Sequence, residues 1–178
     1  MTSQNLFSLA VFAALVGLPA ESSAQAVTCQ SSAGRIKAVS LPGNTAVTTR
    51  FQLDTPNLQT LLRTGVTVSG PGRSCLVVNL SAQTRITDNY VVYQVRVDGV
   101  PMEGHTGGWF GVPDPVLVTL FDDQDEQFVD PFRIVSHNFF ARVPPGRHVV
   151  EVMVAGGSNI APGLEPQVVA PVLTLHYR

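Results

Sequence analysis

Residues 76–83 read Leu-Val-Val-Asn-Leu-Ser-Ala-Gln, and this stretch decides the fold class. Apolar side chains at positions 76, 78, 80 and 82 alternate with polar ones at positions 79, 81 and 83. A period of two is typical of a β-strand that turns one face to a core and the other to water.

The same alternation recurs along most of the chain. It is clearest in residues 47–53, 91–98, 150–154 and 173–177, with shorter apolar runs at 36–41, 65–69, 116–121 and 132–143. Turn signals separate these runs at Pro71-Gly72, Asp98-Gly99 and Pro144-Pro145-Gly146. We therefore predict an all-β fold, a single antiparallel β-sandwich, jelly-roll-like, with about eight to ten strands. Only Thr55–Arg63, with leucines at near-helical spacing, is expected to form a helical turn.

The first 26 residues have the pattern of a secretory signal peptide. Leu6 to Leu18 is a 13-residue apolar run, Pro19 ends it, and Ala24-Gln25-Ala26 supplies the small residues of a cleavage site. The run is too short to cross a bilayer as a helix. We expect residues 1–26 to be removed and residues 27–178 to form one domain, secreted or periplasmic. Ten of the eleven basic residues are Arg, which suggests a bacterial source.

The two cysteines, Cys29 and Cys75, are both retained after the predicted cleavage. An even cysteine count in an exported chain favours a disulfide, and two cysteines allow one pairing. The bond would tie down the start of the domain. The alternatives are a lipid-anchored Cys29, for which the preceding residues form no lipobox, and a catalytic or metal-bound thiol.

Charge gives little indication of a charged partner. Loss of Glu21 with the signal leaves 12 acidic residues against 11 basic ones, a net charge of −1. This balance indicates no nucleic acid and no anionic membrane surface. No second apolar run reaches the roughly 18 residues that a membrane span needs, so none is expected in the mature chain.

Four segments carry a resemblance to a known group. Residues 74–82, 95–100, 145–152 and 173–175 resemble parts of exported bacterial β-sandwich domains that mostly lack an assigned function. Those domains usually show a strand ending in Ser-Ala-Glu, a Val-Asp-Gly turn and a Pro-Gly-x-His hairpin. Here Gln83 stands where Glu is common. The resemblance, over residues 65–178, implies the fold and no activity.

The histidines are candidates for metal ligation. A cupin-type metal enzyme needs a His-x-His motif, and the chain has none. His148 follows the apolar face of its strand, which favours a buried, hydrogen-bonded imidazole over a metal ligand. His176 falls on a polar face. Phe139-Phe140 breaks the alternation beside His137 and predicts a bulge there.

An acidic stretch and an aromatic loop are the two remaining candidate sites. Asp122, Asp123 and Asp125 could bind Ca²⁺ through hard oxygen ligands, although a solvated loop is the simpler interpretation and no cofactor is expected. Trp109 and Phe110, in a glycine-rich loop, could stack on a sugar or anchor a protein partner. The alternative is that Trp109 caps the core.

Nucleophilic catalysis finds no support, since the chain lacks a Gly-x-Ser-x-Gly motif. The leading hypothesis is an exported non-enzymatic β-sandwich that binds an unidentified protein or glycan through its surface. One alternative is a structural subunit of an extracellular assembly. The other is a metal-dependent jelly-roll enzyme using His148, or a fold stabilised by Ca²⁺.

Overall fold

The computed structural model describes residues 34–46, 57–85, 91–105, 116–119, 132–156 and 166–178. These ranges contain ten strands and no helix. The strands are β1 (Arg35–Ser40), β2 (Asn44–Ala46), β3 (Gln59–Val68), β4 (Ser74–Arg85), β5 (Val91–Val97), β6 (Val100–Pro101), β7 (Leu117–Thr119), β8 (Phe132–Val143), β9 (Gly146–Gly156) and β10 (Gln167–Tyr177). None of the described segments is a helix that could span a membrane.

The strands form two antiparallel sheets. Sheet A has the order β1-β10-β4-β8, with β2 also paired to β10. Sheet B has the order β3-β9-β5, and β6 and β7 share the far edge of β5. Successive long strands alternate between the sheets from β3 to β5 and again from β7 to β10. This is the strand order of a jelly roll, so the predicted fold class is confirmed.

Two proline-containing turns carry the chain from one sheet to the other. Pro71-Gly72 connects β3 of sheet B to β4 of sheet A, and residues 144–146 connect β8 of sheet A to β9 of sheet B. The predicted break at Pro144-Pro145-Gly146 is confirmed, but it does not close a hairpin, because β8 pairs with β4 whereas β9 pairs with β3 and β5. Local turn chemistry does not distinguish a hairpin from a crossing between layers.

Asp98-Gly99 does form a hairpin. Val97 pairs with Val100, and both turn residues have positive φ, 52° at Asp98 and 80° at Gly99. A two-residue turn of this kind matches the twist of the flanking strands and favours Asp-Gly.

The expected helical turn within Thr55–Arg63 is also wrong, since β3 begins at Gln59. The pairing of β3 with β9 shifts between Thr60 and Leu62, so one extra residue is accommodated there. Leu61 and Leu62 are consequently both buried. This β-bulge is the reason that their spacing resembles that of a helix.

No bulge accompanies Phe139-Phe140. The pairing of β8 with β4 runs without a shift from Ser74 and Val143 to Arg85 and Phe132. Phe139 is fully buried, while Phe140 lies half-buried on the opposite face. The alternation of apolar and polar residues is interrupted because Phe140 is an apolar residue on the outer face. The backbone of β8 is regular at this point.

The core lies between the sheets and is built from the inward residues of both. Leu76, Val78 and Leu80 of sheet A pack in one cluster with residues of sheet B such as Val150 and Val152. The buried Thr84 hydroxyl and the Tyr93 phenol lie 2.8 Å apart across the two layers. Burial raises the pKa of Tyr93, so this hydrogen bond joins two neutral groups.

Each side of the sandwich has a polar link between its sheet edges. On one side the Lys37 ammonium of β1 donates to the Gly65 carbonyl of β3 at 2.7 Å. On the other, Glu103 and Phe140 exchange two backbone hydrogen bonds of 2.9 and 3.0 Å. These links occupy backbone groups that an edge strand otherwise leaves open to pairing.

Candidate functional site

The outer face of sheet A carries three rows of side chains that cross all four of its main strands. The apolar row is Ile36, His176, Val77 and Phe140. The amide row is Ala38, Thr174, Asn79 and Asn138. The hydroxyl row is Ser40, Val172, Ser81 and Ser136. We call these three rows the neutral face, because none of the positions is Asp, Glu, Lys or Arg.

Large apolar side chains are exposed at and beside the neutral face. Ile36 is 68% exposed at the β1 edge, and Ile134, two residues before Ser136 on β8, is 78% exposed. Val77 on β4 and Phe140 on edge strand β8 are paired in the apolar row, and both are half-buried. Ile36 and Ile134 therefore expose apolar surface at two opposite corners of the outer face of sheet A, and Val77 and Phe140 form the adjacent apolar pair within the face.

The amide row contains a pre-organised pair. The Asn79 side-chain nitrogen donates to Asn138 Oδ1 at 3.0 Å and more weakly, at 3.5 Å, to the His137 carbonyl. The Asn138 amide N–H groups and the Asn79 side-chain oxygen have no further partner within the described ranges. Two donors and an acceptor therefore stand side by side at the centre of the face.

The outer face of sheet B differs in charge. Arg63 and Glu151 form an ion pair across β3 and β9 at 3.3 Å, and Arg96 stands opposite Glu151 on β5. Arg147 lies further along β9, opposite Thr67. A charged ligand would find complementary groups on sheet B, whereas the three rows of sheet A contain no Asp, Glu, Lys or Arg.

His105 and His137 form hydrogen bonds with the backbone at the β8 border of the neutral face. His105 accepts a hydrogen bond from the Val95 N–H at Nε2 and bonds the Met102 carbonyl through Nδ1, at 3.0 and 2.6 Å. Burial lowers the pKa of His105, so the ring is neutral with its proton on Nδ1. Its centroid lies 4.7 Å from that of Phe139, and the His137 ring lies 5.1 Å away from Phe139 on the same strand.

This border is the starting point of the predicted aromatic loop. His137 Nε2 bonds the Gly104 carbonyl at 2.5 Å, and Glu103 is bridged to Phe140 at the end of the apolar row. Trp109 and Phe110 lie outside the described residues, and Trp109 follows the anchored His105 by four positions. The last described residue before the loop, His105, therefore lies at the border of the neutral face.

His148 belongs to a closed polar cluster. Its Nδ1 lies 2.6 Å from Asp98 Oδ2 and its Nε2 lies 2.8 Å from the Pro144 carbonyl oxygen. Because both partners are acceptors, the ring satisfies both bonds as a doubly protonated imidazolium. The expected buried and hydrogen-bonded His148 is confirmed, and neither ring nitrogen is left for a metal.

The described ranges contain no group of three or more His, Cys, Asp and Glu side chains that could hold a metal ion. Asp122, Asp123 and Asp125 lie outside those ranges, so the Ca²⁺ alternative stays a prediction. His176 stands on the outer face, in the apolar row, as its position in the alternation indicated.

Cys75 lies on β4 and is paired with Arg142 on β8. This pair is adjacent to the apolar row, on the side opposite to the amide row. Cys29 lies outside the described residues, and its pairing with Cys75 stays a prediction. A bond there would bring the start of the domain to one end of the neutral face.

Comparison with known proteins adds no family assignment: no family model matches the chain, and no curated protein is significantly similar to it. The resemblance to exported bacterial β-sandwich domains stays a prediction.

Sequence reasoning missed the neutral face because it considered motifs one at a time. Asn79 and Ser81 are visible as outward residues of one strand, but their neighbours Asn138 and Ser136 come from β8, far along the chain. The signal that could have indicated this site is an absence of charge at alternate positions over residues 36–40, 77–81 and 172–176.

Proposed function

We propose that this protein is an exported, non-enzymatic bacterial β-sandwich that binds a protein or a glycan outside the cytoplasm through the neutral face. The single observation that carries the proposal is the contrast between the two outer faces. The outer face of sheet B carries the ion pair of Arg63 and Glu151, whereas the three rows on sheet A contain no Asp, Glu, Lys or Arg, and Arg142 lies one row beyond them. Exposed apolar residues on the same face as amides with hydrogen-bonding groups still available favour a bound partner over permanent solvation.

The segment that precedes the aromatic loop is anchored at the same surface. The backbone hydrogen bonds between Glu103 and Phe140 fix the chain at the border of the neutral face. Gly107 and Gly108, which precede Trp109, follow Glu103 by four and five residues. In this proposal Trp109 and Phe110 supply aromatic contacts next to the apolar row. An aromatic side chain offers a large contact area at small entropic cost.

The two alternative functions have weaker support. The Lys37 and Glu103 links occupy edge groups that assembly through strand pairing would need. The imidazole nitrogens of His105 and His148 are engaged in hydrogen bonds. Sedimentation of the purified protein at high concentration tests the structural-subunit alternative, and metal analysis together with the effect of a chelator on Tm tests the metal alternative.

The proposal is tested by placing a charge on either face. Ser136→Glu introduces a carboxylate at an exposed position of β8 on the neutral face. Thr67→Glu is the matched control, an exposed hydroxyl residue on edge strand β3 of sheet B. Each labelled protein is sedimented with intact producing cells and with their isolated envelopes. We expect Ser136→Glu to lose most of the binding, because desolvating an unpaired carboxylate is costly, and Thr67→Glu to keep it.

Equal binding by the two variants would remove the neutral face from the proposal. Absence of binding by the unmodified protein to cells, envelopes and spent medium would contradict a surface-binding function altogether. Treating the envelopes with protease or with glycan-degrading enzymes before sedimentation shows which class of partner is bound.

A further inference from the structure

We infer that the partner of the neutral face is an uncharged glycan chain, laid across the strands over the apolar and amide rows. This inference rests on the proposed function and specifies its ligand class. It depends on the placement of Asn79 and Asn138 beside Val77 and Phe140, in neighbouring rows of the same two strands.

The chemistry of a neutral sugar matches that placement. A pyranose ring has an apolar side made by its C–H groups and a rim of hydroxyls that both donate and accept hydrogen bonds. Val77 and Phe140 present half-buried apolar surface for the ring side. The Asn138 N–H groups and the Asn79 side-chain oxygen, in the next row, would form hydrogen bonds with adjacent hydroxyls of the sugar. The hydrogen bond between the two amides fixes their orientation before binding.

Charge complementarity argues for a neutral chain over an anionic one. The three rows contain no Lys or Arg that could pair with a uronic acid, a sulfate or a phosphate. Arg142 lies one row beyond Phe140 on the same face and is engaged in an interaction of its own. Recognition of those groups relies on guanidinium or ammonium partners. An anionic polymer would have to lose its hydration at this face without compensation.

The size of the face also suits an extended chain. Neighbouring strands lie roughly 4.8 Å apart, so a row across four strands spans on the order of 14 Å. That length accommodates a few sugar rings end to end. A globular protein partner would be expected to contact roughly 20–30 residues on each side, whereas the three rows contain twelve positions.

The test is affinity electrophoresis of the purified protein through gels containing single polysaccharides. The neutral probes are xylan, mannan, mixed-linkage β-glucan and dextran, and the anionic probes are alginate and heparin. We expect at least one neutral polymer to retard the protein. Asn138→Ala should weaken that affinity about tenfold, because it removes the hydrogen bonds that the Asn138 amide would donate to the sugar.

Thr67→Ala, an exposed position of sheet B, is the matched control and should bind unchanged. Asn138→Asp is a second variant of nearly the same shape, and it should lose affinity as strongly as the alanine variant. Circular dichroism and Tm establish that each variant folds. If Asn138→Ala fails to fold, Ser136→Glu serves as the binding variant at the same face.

Three results would overturn the inference: retardation only by alginate or heparin, no retardation by any neutral polymer, or equal affinity of Asn138→Ala and Thr67→Ala. Its failure is distinguishable from that of the proposed function. If Ser136→Glu abolishes binding to envelopes while no neutral glycan is bound, the face binds a protein, and only the ligand class is wrong.

Discussion

His148 Nδ1 lies 2.6 Å from Asp98 Oδ2, and this contact ties the β5–β6 hairpin to the crossing between β8 and β9. The second carboxylate oxygen of Asp98 accepts a hydrogen bond from the Val149 N–H at 2.8 Å. The pair therefore connects a turn of sheet B to the point where the chain leaves sheet A. Its energetic contribution depends on the protonation of both groups.

We expect the free energy of unfolding to depend on pH through this pair. Burial acts to lower the pKa of His148, but its hydrogen bonds to Asp98 and Pro144 outweigh that effect and raise it above the ordinary value. Burial acts to raise the pKa of Asp98, but the hydrogen bonds from His148 and Val149 lower it overall. The Asp98 contribution is therefore lost as pH falls through its depressed folded pKa. The His148 contribution is complete below the unfolded pKa and is lost as pH rises through its raised folded pKa.

Asp98→Asn isolates the charge, because Asn-Gly retains the preference for this turn. At about pH 5.5 the variant should lose about 1 kcal/mol of unfolding free energy, a modest value because the Asp98 side chain is 49% exposed and screened by water. The loss should shrink as pH rises through the raised folded pKa of His148. Urea unfolding across pH measures both effects. A variant with the same pH profile as the unmodified protein would show that the pair does not contribute.

Gly104 is predicted to be the least replaceable glycine in the described ranges. A Cβ there would lie 2.6 Å from the Asn138 carbonyl oxygen, and φ is +106°. Gly104→Ala should destabilise the protein by about 3 kcal/mol. Gly43→Ala is the control, since φ is +84° but no atom lies within 4 Å of its Cβ; a cost of about 1 kcal/mol is expected. Equal losses of unfolding free energy in the two variants, measured by chemical unfolding, would show that the close contact between Gly104 and the Asn138 carbonyl has no energetic consequence.

The two-layer fold could be predicted because its signal is local. The inward residues of β4 and β9 alternate as a half-buried strand requires, and the predicted run Phe132–Val143 coincides with β8. The bulge at Leu61-Leu62 could not be predicted, because the extra residue is visible only in its pairing with β9. The outward Phe140 was misread for a related reason. Its neighbours, Val77 and Glu103, come from other parts of the chain.

The candidate site was predictable only in part. The predicted Trp109 and Phe110 follow a segment that the structure places at the border of the neutral face, but the two residues themselves lie outside the described ranges. The central Asn79–Asn138 pair depends on strand register between β4 and β8. Register is a non-local property that a single strand's pattern does not specify.

We predict a disulfide between Cys29 and Cys75. Replacing both cysteines with serine should cost roughly 4 kcal/mol, the chain-entropy value for a closed loop of about 47 residues. Peptide mapping without reductant should give a crosslinked peptide containing both residues, and a reductant should lower Tm to that of the double variant. Two separate thiols accessible to alkylation in the unreduced protein would contradict the pairing.

Lys37 is predicted to protect a sheet edge. Lys37→Met keeps the apolar stem and removes the donor to the Gly65 carbonyl, so it should lose about 1 kcal/mol of stability and self-associate more readily. Arg35→Met is the control on the same strand, since it removes an exposed charge at the end of β1. Sedimentation velocity compares the two. Equal association by both variants would mean that charge, and not the Lys37 link, limits edge pairing.

The most direct test of the neutral face as the binding surface is a methyl NMR titration. The chain has four isoleucines, Ile36, Ile86, Ile134 and Ile160, and two of them, Ile36 and Ile134, are exposed on the outer face of sheet A. With isoleucine methyls labelled, addition of solubilised envelope material that the protein binds in sedimentation should shift or broaden the Ile36 and Ile134 signals. Unchanged Ile36 and Ile134 signals in a sample with demonstrated binding would contradict the proposal.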